Sequence, residues 1–264
     1  MSEVDTNLLE QAAAELGTRD GLFMKRCWTG GLDKYRRRLA AIGFTGLDCV
    51  LDAGCGFGQW SMVMAENCGK VEAFDVCEKR VRAAQIVAKN AINLRFRTAS
   101  LEELPFANES FDGVFCYSTI YYTDVRRSVA ELCRVLRPGG RIYLCSNGPG
   151  WYWYNFVHQP HKSADFSPRR YALGTFYGTA KYFLFNQPPR NGQSVITPRR
   201  WLARMLESHG VEIRACGDEG ACNLSGDKSP QNFFRGRYAG LECVSEWLGV
   251  RRKAVGQKSF ARAA

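Results

Sequence analysis

Apolar positions along the chain switch between two repeat lengths, and the switching divides it into helices and strands. A period near 3.6 marks two N-terminal helices. The first, about 7–16, places Leu8, Leu9, Ala12, Ala13 and Leu16 on one face, and the second, about 31–42, sets Leu32, Tyr35, Leu39 and Ile42 opposite Arg36, Arg37 and Arg38. Gly17 and Gly43 stop them. Short apolar runs follow at 48–54, 71–76, 94–99, 111–118 and 141–145, with helical patterns between them at about 57–68, 78–91 and 124–136. Connections of that length suit parallel pairing. Beyond residue 196, Thr197 and Pro198 open a helix to about Ser208 by N-cap and first-turn proline logic, and 211–216 and 238–247 read as two more strands. The pattern predicts an α/β fold: a Rossmann-like, doubly wound, mostly parallel seven-stranded sheet, with N-terminal helices and an aromatic-rich insertion after strand five.

The organisation is that of one domain over 1–264: an N-terminal helical cap (1–45), a core (48–146), an insertion (147–196), the C-terminal part of the core (197–248) and a basic tail (249–264). Residues 146–196 break the regular pattern. They hold 12 of the 33 aromatic residues, two of the three histidines, and five basic residues against one acid. The formal charge of +10 is uneven, because Arg251, Arg252, Lys253, Lys258 and Arg262 supply half of it. A basic balance suits nucleic acid, an anionic surface or a phosphorylated substrate, and does not choose among them.

Eleven cysteines without a CxxC pair write neither a disulfide framework nor a zinc ribbon, so reduced thiols and no metal site are expected. Cys49, Cys116 and Cys145 fall in apolar runs, where cysteine behaves as a small hydrophobe. No apolar run approaches the roughly 20 residues of a bilayer span, and the first residues, MSEVDTNLLEQ, are acidic and polar. The expectation is a soluble, cytoplasmic protein.

The densest chemical signal is ValLeuAspAlaGlyCysGlyPheGly at 50–58, where a strand meets a helix. Glycines at alternate positions allow a sharp turn and let a ligand lie against main-chain amides at the helix N-terminus. Asp75 ends the next strand, placed to accept both hydroxyls of a ribose. The spacing is GxGxG, with Gln59 and Trp60 where a dinucleotide fingerprint needs its third glycine, which argues against a nicotinamide or flavin cofactor. Asp52 adds a negative charge that would repel a pyrophosphate and suits an α-ammonium group.

These residues resemble the class I S-adenosylmethionine-dependent methyltransferases, in particular the small-molecule branch of the methyltransferase type 11 kind. Four separated motifs over about 48–146 carry the resemblance: VLDAGCGFG, AFDVCEKRV, SLEELPFANESFDGVFCYSTIYYTD and ELCRVLRPGGRIYL. It implies that S-adenosyl-L-methionine is the cofactor, held by Gly54, Cys55, Gly56 and Gly58, with Asp52 near its ammonium and Asp75, followed by Val76, at the ribose. Ser100, Leu101 and Glu102 stand where the family recognises adenine, with Ser100 in the place of a frequent Asp. Tyr117 and Ser118 are similar to positions beside the methionine chain, and Trp28 belongs to a segment that in this family often folds over the cofactor mouth.

Methyl transfer from a sulfonium relies on positioning and water exclusion, and a base is optional. The acceptor-side candidates are Tyr121 and Tyr122 after the fourth strand and His158 and His161 in the insertion, as orienting groups or general base. Asp112 reads as a strand-start residue and His209 as a helix-end charge partner. The insertion reads as a lid and acceptor pocket, and its Lys162, Arg169, Arg170, Lys181 and Arg190 would suit an anionic acceptor. The reading is methyl transfer to an oxygen or nitrogen of a small molecule: a natural product, sugar or lipid headgroup. The alternative is an RNA or protein methyltransferase, since aromatic and basic residues together also clamp single strands; a non-enzymatic cofactor-binding role is the third.

Overall fold

The computed structural model describes residues 5–160, 162–163, 166–190, 192–226 and 232–253. Three helices come first: α1 (Thr6–Ala14), capped by the Asp5 side chain, α2 (Thr18–Thr29) and α3 (Asp33–Ala41). The α/β alternation then runs β1 (Cys49–Ala53), α4 (Gln59–Asn67), β2 (Lys70–Asp75), α5 (Glu78–Val87), β3 (Leu94–Thr98), β4 (Phe111–Tyr117), α6 (Val125–Val135) and β5 (Leu136–Asn147). The insertion is α7 (Pro149–His158) and α8 (Pro168–Phe185), and the chain closes with α9 (Arg199–Ser208), β6 (Val211–Asp218), a small hairpin of β7 (Arg237–Tyr238) and β8 (Leu241–Glu242), and β9 (Val244–Arg251).

The seven strands of the main sheet lie in the order β3-β2-β1-β4-β5-β9-β6, all parallel except β9, which is antiparallel to both neighbours. Period-two alternation feeds two apolar layers: Val114, Cys116, Ile142 and Leu144 face α6 and α9, whereas Phe115, Tyr143 and Cys145 face α3 and α4. The winding direction reverses between β1 and β4, so the crevice beyond their C-terminal ends is where this architecture receives a ligand. A third apolar cluster, with Leu9, Ala12, Met24, Trp28, Phe57, Ala83 and Val87, fastens α1 and α2 to α5 and to the loop after β1.

Three expectations are corrected. Helix α2 lies outside the predicted elements because its apolar residues do not keep to one side: Leu22 and Phe23 are exposed while Gly21, Met24 and Trp28 form the buried face; Gly21 lets α1 and α2 touch, since a Cβ there would lie 2.8 Å from the Ala13 carbonyl oxygen. The insertion is not irregular but two helices, each opened by a proline whose missing N–H costs nothing in a first turn. The last strand is Val244–Arg251 rather than 238–247: residues 237–242 pair with each other, and β9 takes Arg251, expected in the tail, into the sheet. Among the described residues, no helix is long and apolar enough to cross a membrane.

Candidate active site

The loop after β1 has a left-handed backbone at Gly54, Gly56 and Gly58. At Gly54 a side chain would collide with Thr119, 2.4 Å away, whose hydroxyl donates to the Gly54 carbonyl at 3.2 Å. At Gly56 nothing lies within 4 Å of the missing Cβ, so its bare backbone faces open space. The N–H groups of Gly54 and Cys55 donate to the Phe74 carbonyl, fixing the loop to β2. The Cys55 side chain points into the core, where burial holds its thiol well above the usual range, so only its backbone belongs to the loop.

Asp75 closes the other side. Its Oδ2 accepts from Gly56 N–H at 3.1 Å and its Oδ1 from Cys77 N–H at 2.9 Å, which holds the carboxylate at the tip of β2 with lone pairs to spare. Val76 beside it is 76% exposed, an apolar surface at the crevice. Asp52 lies beneath the loop, buried, with Ser61 Oγ donating to it at 2.6 Å; burial pushes its carboxyl up to about 7, the Ser61 bond working against the shift and Asp75 adding to it.

Trp28 is buried, and its indole N–H donates to the Phe57 carbonyl at 3.2 Å, so α2 clasps the glycine loop from outside. After β3, Ser100 is exposed and accepts from Glu102 N–H, Leu101 is packed in the core, and Glu102 accepts from Asp124 N–H at 2.8 Å, which ties it to the start of α6. Ser118 turns the chain after β4 with a φ of 56° and donates its N–H to the Cys145 carbonyl. Such a conformation in a non-glycine residue is uncommon and concentrates at functional sites.

Tyr117 shows what sequence reasoning missed. Its phenol donates to Glu219 at 2.5 Å, and Glu219 also accepts from the N–H groups of Phe233 and Phe234. Arg38 on α3 pairs with Glu246 at 2.8 Å, neither side chain exposed, while Tyr143 donates to the same Glu246 carboxylate. Burial holds the Glu246 carboxyl above its usual range. Trp60 and Phe233 pack on the Tyr117 ring, so the N- and C-terminal parts of the chain jointly wall one flank of the crevice. Nothing local in the sequence announces these pairs.

On the opposite flank the structure brings Tyr121 and Tyr122 under the insertion. The Tyr122 hydroxyl is 3.4 Å from that of Tyr171, Ser194 Oγ donates to Tyr171 at 3.2 Å, and Ser194 and Thr175 share a bond of 2.7 Å; Tyr152 packs on the Tyr171 ring. Burial holds the Tyr121, Tyr152 and Tyr171 phenols above their usual range. His158 is not part of this cluster: it sits at the distal, exposed end of α7, turned about 120° from Tyr152 around the helix, with Nε2 3.1 Å from the Tyr238 hydroxyl. His161 lies outside the described residues.

An open glycine cradle, an acid with free lone pairs at the end of β2 and an exposed apolar side chain beside it fit an amino-acid nucleoside such as S-adenosylmethionine. Residues 51–144 match the family model described as a methyltransferase domain. The chain is 35% identical over 98 residues to the uncharacterized methyltransferase YcgJ of Bacillus subtilis, and 32% over 98 residues to a ubiquinone biosynthesis O-methyltransferase of Xanthomonas oryzae. Each match takes in 36% of this chain, which spans only 39% and 41% of those relatives. A solved structure of a putative S-adenosylmethionine dependent methyltransferase from Listeria monocytogenes shares the fold, with a TM-score of 0.57 at 14% identity over 84% of this chain and 98% of that one. Residues 51–144 thus form a methyltransferase domain, and the chain around them has the fold of the S-adenosylmethionine-dependent methyltransferases.

Proposed function

We propose that the protein methylates an oxygen or nitrogen of a small acceptor held between the ends of β4 and β5 and the α7–α8 hairpin. The observation that carries the reading is the cradle formed by Gly56 and Asp75 at the switch point. Gly54, Gly56, Gly58 and the Cys55 backbone would hold the amino-acid side of the cofactor, Asp52 the ammonium, Asp75 the ribose, Val76 one face of the adenine and the Leu101 backbone its edge. S-adenosylmethionine, when bound, supplies a methyl group on a positively charged sulfur that leaves readily.

The chain's own contribution is then placement. Phenols held protonated by burial make Tyr121, Tyr152 and Tyr171 hydrogen-bonding groups for an acceptor rather than bases. The hydroxyl cluster of Tyr122, Tyr171, Ser194 and Thr175 suits an acceptor with its own hydroxyl, and the name of the Xanthomonas relative favours an oxygen on a small ring compound. Helices α7 and α8 bury Thr175 and Ser194 of this cluster and leave Tyr122 43% exposed at its mouth, so an acceptor seated against Tyr122 would complete the exclusion of water under which positioning accelerates displacement.

The test has two stages. Calorimetry with S-adenosylmethionine and its demethylated product is expected to show one site, and methyl transfer is then followed over a panel of hydroquinones, phenols, phosphorylated sugars, amines and RNA. Turnover confined to RNA would replace the small-molecule reading, and binding without turnover on any acceptor would favour a non-enzymatic role.

A further inference from the structure

Helix α8 is apolar on both of its faces. Pro168, Ala172, Thr175, Gly178 and Tyr182 form the buried face against the body of the protein. Leu173, Tyr177 and Leu184, at spacings of four and seven, lie within about 40° of one another on the opposite face. Tyr177 is 64% exposed, Leu184 73% and Phe185 67%. A helix that only covers a soluble domain carries mainly polar residues on its outer side, whereas the middle of this outer side is an exposed apolar stripe. Trp153 and Val157 of α7, both exposed, widen the surface, with the Trp153 ring packed at a tilt against Phe176, ring centres 5.1 Å apart.

The charge carried by the two helices themselves has one sign. Neither α7 nor α8 contains an acidic residue. Arg169 and Arg170 stand exposed at the start of α8, and Lys181 lies along its side with Nζ 5.5 Å from the Tyr177 ring centre, its stem on apolar surface and its ammonium at the margin. Leucine, phenylalanine, tyrosine and tryptophan, with arginine and lysine as the charged residues of the same helices, is the composition of a helix lying in the interface of an anionic bilayer.

We infer that the outer face of the α7–α8 hairpin docks the protein on an anionic lipid surface, with Tyr177, Leu184 and Phe185 entering the headgroup boundary and Arg169, Arg170 and Lys181 meeting lipid phosphates. The acceptor-side cluster of Tyr122, Tyr171 and Ser194 lies directly beneath the same hairpin, so a docked molecule would take a lipid-dissolved acceptor from the surface it rests on. Docking stands apart from the proposed chemistry because it is read without turnover.

The full chain is sedimented with vesicles of equal parts phosphatidylglycerol and phosphatidylcholine, and with vesicles of phosphatidylcholine alone. The expected result is binding to the anionic vesicles that is at least about tenfold tighter than to the neutral ones, and at least about tenfold weaker in Leu184→Glu/Phe185→Glu. Ile92→Ser, which alters a fully exposed apolar residue elsewhere, is expected to bind like the parent chain. Circular dichroism and cofactor calorimetry check the double variant, and Tyr177→Ser replaces it if it does not fold. Three results overturn the inference: no binding to either vesicle; binding that the α8 variants leave unchanged, which would assign it to basic residues elsewhere; or dimers in sedimentation velocity that the α8 variants dissociate while vesicles are ignored, which would make a second copy the occupant.

Discussion

The backbone N–H of Gly56 donates to Oδ2 of Asp75 at 3.1 Å, joining the loop after β1 to the acid that ends β2. The two elements that would hold opposite ends of the cofactor's amino-acid and ribose portion are therefore set against each other before any ligand arrives. Preorganisation of this kind lowers the ordering cost of binding.

Asp75→Ala removes an acceptor for charge-assisted hydrogen bonds and releases Gly56, and is expected to weaken S-adenosylmethionine binding by about 10- to 100-fold. Gly56→Val adds a side chain in the open cradle at a φ of 55°, which a branched residue rarely adopts, and is expected to abolish binding in a soluble protein. Calorimetry on both variants checks this, and unchanged affinity would count against the cofactor site.

Asp52 should make the ligand-free protein sensitive to pH in an unusual direction. Its folded carboxyl titrates at about 7 against an ordinary 3.8, so between those values the folded state keeps a proton that the unfolded chain has released. Stability from this group therefore falls as pH rises through that window, and the loss is complete above it. Denaturant melts from pH 4 to 8 are expected to show this component, and Asp52→Asn to lack it. An ammonium beside Asp52 would favour its ionised form, so cofactor affinity is expected to rise with pH towards 7 in the parent chain and to lose that slope in the variant.

Trp28→Phe keeps a smaller aromatic ring at this buried site, deletes the indole N–H that meets the Phe57 carbonyl and leaves space in the third apolar cluster. A loss of about 1–3 kcal/mol of stability, from the hydrogen bond and the space left by the smaller ring, and a several-fold weaker cofactor affinity are expected, measured by chemical denaturation and calorimetry. A change in stability alone would make Trp28 a packing residue with no hold on the loop.

Arg38→Met leaves the buried Glu246 carboxylate without its cation. Truncating one partner of such a pair costs about 3–5 kcal/mol, so the variant is expected to melt far below the parent chain. Arg38→Met combined with Glu246→Gln should recover part of that loss, and a thermal scan of the three proteins decides it.

On the acceptor side, Tyr171→Phe removes the hydroxyl between Tyr122 and Ser194 and is expected to lower kcat/KM by about tenfold, whereas His158→Ala, at the exposed end of α7, should leave it nearly unchanged. The comparison is made on whichever acceptor turns over. A large loss in His158→Ala would return the histidine to the role of base.

The parts legible from sequence were those whose cause is local. Strands at 48–54 and 111–118 show as apolar runs because both their faces are buried, and the loop at 54–58 shows because only glycine takes its backbone angles at low cost. Helices α7 and α8 were missed because aromatic residues on all sides erase the 3.6-residue contrast, which is the same property that marks their outer surface. The alternation and the glycine spacing thus dictated the class of sheet and the position of the crevice, each residue acting through its near neighbours. Folding in three dimensions alone decided that Arg38 meets Glu246, 208 residues away, that Tyr117 meets Glu219, and that Tyr122 rather than His158 joins the hydroxyl cluster. Such pairings depend on which strand ends and helix faces converge, and no stretch of chain carries that information by itself.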